Sequence, residues 1–299
     1  MGWGNRMSIA LAGALMMLAT GGAPAPAATG DVTIGNGTIQ LGVTHDGTLG
    51  IRGSCGMATG VGVRLVSAGF PAGEGVCYGS DVEGWGAADV TSGVMGFVNE
   101  DTAAPTITSL PVVSDAATAD TVTTIGATLS VAQHFAPSAQ TPNVYTGVVT
   151  VKNTSAAPVD LRYRRIVDWD VPPTQWNERM TTGGTAPASL LAGGVANTDS
   201  LSPAASWYSP LAAIPVGGLL VSYPALAADN GPSDQGSLYD LALGAVPAGQ
   251  CISFTFYWGA AATFAEAQTA ITAAGAAVWS LAENNNRSEE RRVGKECRL

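Results

Sequence analysis

Short runs of alternating apolar and polar residues fill most of the chain, and turn residues punctuate them. Alternation of period two marks a strand with one buried face. Val32-Thr33-Ile34 and Thr38 to Val43 flank Asn36-Gly37, a pair suited to a type I′ hairpin turn. His45-Asp46-Gly47 predicts a second turn, with a strand from Thr48 to Ile51 after it. Further strands are expected over Gly62 to Ser67, over Val94 to Val98 and twice within Thr121 to Phe135. Val144 to Lys152 and Leu161 to Trp169 read as long strands paired around a turn at Asn153 to Pro158. Ala212 to Tyr223 and Ile252 to Trp258 are apolar runs fit for a sandwich interior. Gly183 to Pro210 carries the least pattern and reads as a long loop or an excursion at one end.

One helix stands out against this background. Thr263-Phe264-Ala265-Glu266 is a capping box, in which the Thr hydroxyl accepts from the Glu amide and the Glu side chain reaches back. Phe264, Ile271, Ala274 and Val278 then fall on one face of a helix near 263–281, which Gly275 either ends or kinks. The expected fold is all-β: a large antiparallel β-sandwich with one C-terminal α-helix. A supersandwich of the sugar-mutarotase kind is the fold-level analogy. Neither a solenoid repeat nor a linker divides the chain, so 28–286 is expected to be a single domain.

The two ends differ from the middle. Ser8 to Ala19 is apolar but short for a membrane span, and Gly21-Gly22-Ala23-Pro24-Ala25-Pro26-Ala27 follows it. Small residues at Ala25 and Ala27 suit a signal peptidase, which makes 1–27 a signal peptide and Ala28 the expected mature start. Arg287 to Leu299 packs five Lys or Arg and three Glu into thirteen residues and matches one reading frame of a sequencing adapter. It is read as a non-native adapter translation and set aside from the fold.

Charge and cysteines narrow the function. The formal net charge is −10, and the chain without its basic tail is more acidic still. Phosphates would be repelled, so nucleic acid is excluded as a partner. The mature chain has no second apolar span of membrane length, and no transmembrane segment is expected in it. Export permits disulfides, and Cys55 and Cys77 flank one Gly-rich segment as the natural pair. Closing that loop would contribute roughly 3 kcal/mol. Cys251, in the apolar run Cys251 to Trp258, reads as a buried thiol. With two His and no Cys-x-x-Cys, a zinc site is not expected.

Three constellations could carry chemistry. Asp81, Glu83 and Asp89 surround Trp85 among glycines, an arrangement that could hold Ca²⁺ or stack on a sugar. The competing reading, in which Trp85 plugs the core and the acids are solvated loop residues, is preferred. Next, Arg162 to Thr174 as a strand puts Arg162, Arg164, Ile166, Asp168 and Asp170 on one face. Asp168 and Asp170 would stand roughly 6.5–7 Å apart, a spacing compatible with a glycosidase pair. Neighbouring arginines would keep both ionised, which favours a structural Arg–Asp network. On the opposite face Leu161, Tyr163, Arg165, Val167 and Trp169 read as core material. Third, His134 lies near Ser138, but no nucleophile-elbow motif accompanies them. His134 reads as a strand-end residue bonded to a turn.

Taken together, CYGSDVEGWGAAD, QHFAPSAQTPNVYTGVVTVKNTS, LRYRRIVDWDVPPT and GAAVWSLAE resemble an exported bacterial family of uncharacterised β-sandwich proteins. Its members often carry a C-terminal PEP-CTERM-type sorting signal, which is not visible here. The block from Arg162 to Thr174 carries the likeness most specifically; the chain departs from it where five residues separate Cys77 from Glu83. The resemblance implies export and surface placement and assigns no reaction. The expected function is that of a non-catalytic extracellular or cell-envelope protein, with extracellular polysaccharide or surface matrix as partner. The alternative is a carbohydrate-binding or carbohydrate-active protein that stacks sugars on Trp85, Trp169 or Trp176.

Overall fold

The computed structural model describes residues 30–51, 58–78, 83–99, 106–197, 210–211 and 230–285. The signal peptide, Cys55, Asp81, the apolar run 212–223 and the tail 287–299 lie outside the described residues.

Strands β1 (Val32–Gly35), β2 (Ile39–Val43) and β3 (Val63–Leu65) come first, followed by a 3-10 turn at Val66–Ala68. Then come β4 (Glu83–Asp89), β5 (Met95–Asn99), β6 (Ile107–Ser109), β7 (Val113–Ser114), β8 (Ala119–Ile125) and β9 (Leu129–Pro137). The long strands β10 (Val144–Asn153) and β11 (Val159–Trp169) precede β12 (Glu178–Gly184) and β13 (Leu190–Asn197). The last described elements are β14 (Asn230–Ser233), β15 (Gln235–Val246), β16 (Cys251–Gly259), α1 (Phe264–Ala274) and β17 (Val278–Glu283).

All the pairings are antiparallel, and α1 is the one α-helix among the described residues. Among the described residues the strands are distributed over four sheets rather than two: β1-β2-β3, β16-β10-β9-β8-β6 with β7 on β8, β13-β15-β11-β4-β5, and β14-β12-β17. The two larger sheets bury side chains in one shared core. Ile125, Leu129, Val131, Val149 and Val151 come from one, and Trp85, Ala87, Leu161, Tyr163 and Val246 from the other. Each of the Val, Leu and Ile side chains among them contributes about 1.5–3 kcal/mol when fully buried. A second core joins β1, β2 and β3 to Phe135, Tyr145, Val167 and Trp258.

The first hairpin forms as its Asn-Gly predicts: Gly37 turns at φ 85°, and Asn36 Oδ1 accepts from the Thr38 and Ile39 amides. Elsewhere tertiary contacts override local pattern. Thr48 to Ile51 forms no strand of its own but an isolated bridge, Val43 to Leu49, and the Leu49 amide donates to Glu83 Oε2 at 2.6 Å. β10 and β11 do not pair with each other. β10 runs between β9 and β16, and β11 between β4 and β15. Buried Asn153 anchors the crossover between sheets, its Nδ2 donating to Ala157 O at 2.7 Å and Val246 O at 2.9 Å. Val149 and Val151 thereby face Leu161 and Tyr163 across the core instead of sharing a sheet with them. The stretch expected to be a loop from Gly183 contains β13, held by its register with β15.

Thr263 caps α1 as its capping box requires, with Thr263 Oγ1 accepting from the Glu266 amide at 3.2 Å. Glu266 Oε2 reaches back to the Ala262 amide at 3.1 Å. The helix is shorter than 263–281, because Gly275 adopts a left-handed C-cap at φ 71° and Val278 starts β17. Cys251 opens β16 at a sheet edge, so its thiol is free and exposed rather than buried. Among the described residues no helix is long and apolar enough to cross a membrane.

Candidate functional site

The most strongly organised polar cluster is enclosed by the fold. β4 and β11 lie side by side with Glu83 opposite Val167 and Trp85 opposite Arg165. Arg165 projects inward among Leu161, Tyr163 and Val167, where an unpaired guanidinium would be costly. Glu83 meets it: Nε donates to Oε1 at 2.5 Å and Nη2 to Oε2 at 3.1 Å. Nη1 donates to Gln133 Oε1 at 2.7 Å, and Nη2 also reaches Gly47 O at 3.1 Å. The guanidinium lies over the Trp258 ring, 5.0 Å from its centroid. Gly47 has to be glycine, since it turns at φ 77° and a Cβ would collide with the Gln133 amide nitrogen. Burial pushes the Glu83 carboxyl up, opposed by the charge and hydrogen bonds of Arg165 and by the Leu49 amide. Both side chains are almost inaccessible to solvent.

Glu74 and Arg64 repeat the arrangement beside β3. Glu74 Oε1 accepts from the amides of Gly62, Val63 and Cys77, and Oε2 accepts from Arg64 Nε at 3.2 Å. Burial raises its carboxyl against those amides and the arginine. A third pair, Arg164 Nη2 to Asp240 Oδ2 at 2.8 Å, joins β11 to β15 on the other face.

The residues singled out from the sequence do not converge. Glu83 is an internal ion-pair partner, not a loop ligand, because 83–89 is a strand. Trp85 is fully buried, stacked on Tyr163 at 5.9 Å with Nε1 donating to Asp46 O, and presents no platform. Asp89 is buried too, where the expectation was a solvated acid. Against the upward push of burial, the Ser92 hydroxyl and the amides of Asp160, Thr91 and Ser92 hold its carboxyl low. His134 sits in mid-strand, exposed, with Nδ1 2.8 Å from Asp120 Oδ1 on β8, rather than at a strand end. Asp168 and Asp170 are buried, and Arg164 pairs with Asp240. Trp169 is half-buried and donates from Nε1 to Ser237 Oγ at 2.8 Å. Trp176 alone of the three candidate platforms stands open, 57% exposed, with a left-handed φ of 65°.

Sequence reasoning missed Arg165, Glu74, Asp240 and Glu178 as structural charges. For Arg165 the signal was present: an arginine in step with Leu161, Tyr163 and Val167 requires a buried acid, and Glu83 keeps the same alternation with Trp85. Glu178 is buried at the start of β12, and its surroundings push it up to about 8, through burial first and then the charges of Asp170 and Asp234.

A cavity of about 790 Å³ opens between α1, β16, β17 and β11, lined by Trp169, Tyr239, Phe254, Phe256, Trp258 and Ile271. Within it Tyr239 donates to Ser280 Oγ at 2.9 Å, and Ser280 Oγ lies 2.7 Å from Ser237 Oγ. Among the described residues no group of three His, Cys, Asp or Glu side chains is placed to hold a metal ion. No protein-family model matches the chain, and a search of curated proteins finds no relative.

Proposed function

We propose that the chain is an exported, non-catalytic β-sandwich protein of the extracellular space or cell envelope. The observation that carries the non-catalytic reading is the placement of its acids. Glu83, Asp89, Asp168 and Asp170 are buried, and Glu83 is neutralised inside the core by Arg165. A general acid or nucleophile has to reach its substrate, and a carboxylate locked to an arginine in the core does not. The sandwich reading rests on the core shared by the two larger sheets, with the small sheets as flanking additions; a supersandwich is its extended form. Export rests on the apolar stretch Ser8 to Ala19 and on the family resemblance, which also points to a surface matrix or polysaccharide as partner. Expression from the complete reading frame, followed by fractionation and N-terminal sequencing, tests placement: mature protein starting at Ala28 outside the inner membrane is expected. A panel of glycoside substrates should give no turnover.

The second reading, carbohydrate binding, is favoured by Trp176 alone. An exposed indole held on a short loop offers the flat apolar face that pyranose rings stack on. Glycan-array binding that disappears in Trp176→Ala would support it, and the same array with and without calcium tests whether Ca²⁺ takes part.

A further inference from the structure

β16 is the long open edge of its sheet. The order β16-β10-β9-β8-β6 pairs it on one side only, with β10, in an unbroken register over its nine residues. The other ends of the two larger sheets are blunted. β6 is three residues long and β5 five, and β13 carries a register shift between Leu190 and Ala192. Short strands, bulges, prolines and charged residues are what keep an edge from adding another strand. From Cys251 to Gly259, β16 has no proline and no charged residue.

The pattern of its ladder shows which backbone groups are left over. The Ala260 amide donates to Asn143 O beyond one end, and the Asn153 amide to Gln250 O beyond the other. Hydrogen-bonded pairs alternate with non-bonded ones in an antiparallel ladder, so Ile252, Phe254, Phe256 and Trp258 direct their backbone groups to β10. Ser253, Thr255 and Tyr257 direct theirs to the open side, along about 14 Å of edge. Among the described residues those amides and carbonyls meet no partner there.

That open side is a wall of the cavity beneath α1, which Thr255 and Tyr257 line together with Phe254 and Phe256. The two phenylalanines are only half-buried, as are Tyr239 and Leu241 of β15 and Ile271 of α1, which line the same space. A row of unpaired backbone groups beside an apolar trough suits a ligand with amides along its length and an apolar group at every second position. An extended polypeptide has both.

We infer that the open edge of β16 is a docking site for an extended segment of another protein, which adds as a strand beside Ser253–Tyr257 and seats alternate apolar side chains in the cavity. A neutral or basic segment is favoured, because the formal net charge of the chain is −10. The β16 of a second copy fits less well, since it brings its own α1 and β17 to the same place, whereas a lone strand does not. The site is separate from Trp176 and does not depend on carbohydrate binding.

Amide NMR of the intact protein tests this, with an acetylated and amidated peptide of alternating valine and threonine, lysine at each end, as the probe. In the free protein the Ser253, Thr255 and Tyr257 amides should exchange with solvent roughly tenfold faster, or more, than those of Phe254 and Phe256. Millimolar peptide should shift the three signals together and slow their exchange. The same peptide N-methylated throughout keeps its side chains but cannot donate, and should not bind. Thr255→Pro removes an open-edge amide and no ladder bond, and should weaken peptide binding about tenfold or more. No binding of the probe, equal binding of its N-methylated form, or wild-type binding by a folded Thr255→Pro overturns the inference. So does protection of the three amides without peptide, whether constant or rising with protein concentration as dimers appear in sedimentation, because the chain or a second copy then covers the edge.

Discussion

Arg165 on β11 and Glu83 on β4 form a two-pronged ion pair inside the core, at 2.5 and 3.1 Å, beneath the ring of Trp258. The pair links the 44–49 turn, through the Leu49 amide and Gly47 carbonyl, to the β9 side chain Gln133. Removing one partner leaves the other charged and buried. Arg165→Met and Glu83→Leu should therefore each cost about 3–5 kcal/mol in denaturant unfolding. The double variant should cost much less than the two together, since no charge is then stranded. Additive losses would show that the two side chains are not coupled.

Trp176 occupies a backbone conformation that suits glycine, φ 65°, while most of its ring lies in water. Trp176→Gly is expected to leave the protein equally stable or raise stability by about 1 kcal/mol, because the left-handed strain is relieved. A loss of more than about 1 kcal/mol would mean that the indole packs on the fold. Any glycan affinity should vanish in the same variant.

Cys77 is wholly buried, and Cys251 is free at the exposed edge of β16. A Cys55–Cys77 bond in the exported protein is the expected pairing. Peptide mapping without reduction should find that bond and an alkylatable Cys251; a linked peptide containing Cys251 would refute it.

How much of this could be read from the sequence depended on how local the determining contacts were. The Asn36-Gly37 hairpin and the Thr263 cap were legible because a few neighbouring residues decide them. The pairing of β10 and β11 was misread because chain proximity favours a hairpin, whereas Asn153 sends the chain across to the opposite sheet. The segment Glu83 to Asp89 looked like a loop for its glycines and acids, yet Trp85 and Ala87 give it a strand's inward face. The candidate site suffered the same way. Acids and tryptophans were visible as residue types, but whether each faced solvent depended on partners far along the chain, such as Asp240 for Arg164. Glu178 gave no signal because its neighbours Asp170 and Asp234 come together only in the fold.

On the reading proposed above, the acids of the Arg162–Thr174 block hold the structure together rather than act on a substrate. Asp168 and Asp170 are 4% and 0% exposed, and the Asp170 amide donates to Gly75 O at 3.0 Å where β11 meets the loop below β3. Calorimetry of Asp168→Asn and Asp170→Asn, each with and without calcium and beside glycan binding, measures this most directly. A stability loss of about 1–3 kcal/mol is expected in each variant, with any ligand binding retained by the folded fraction. Unchanged melting together with abolished calcium or glycan binding would contradict it.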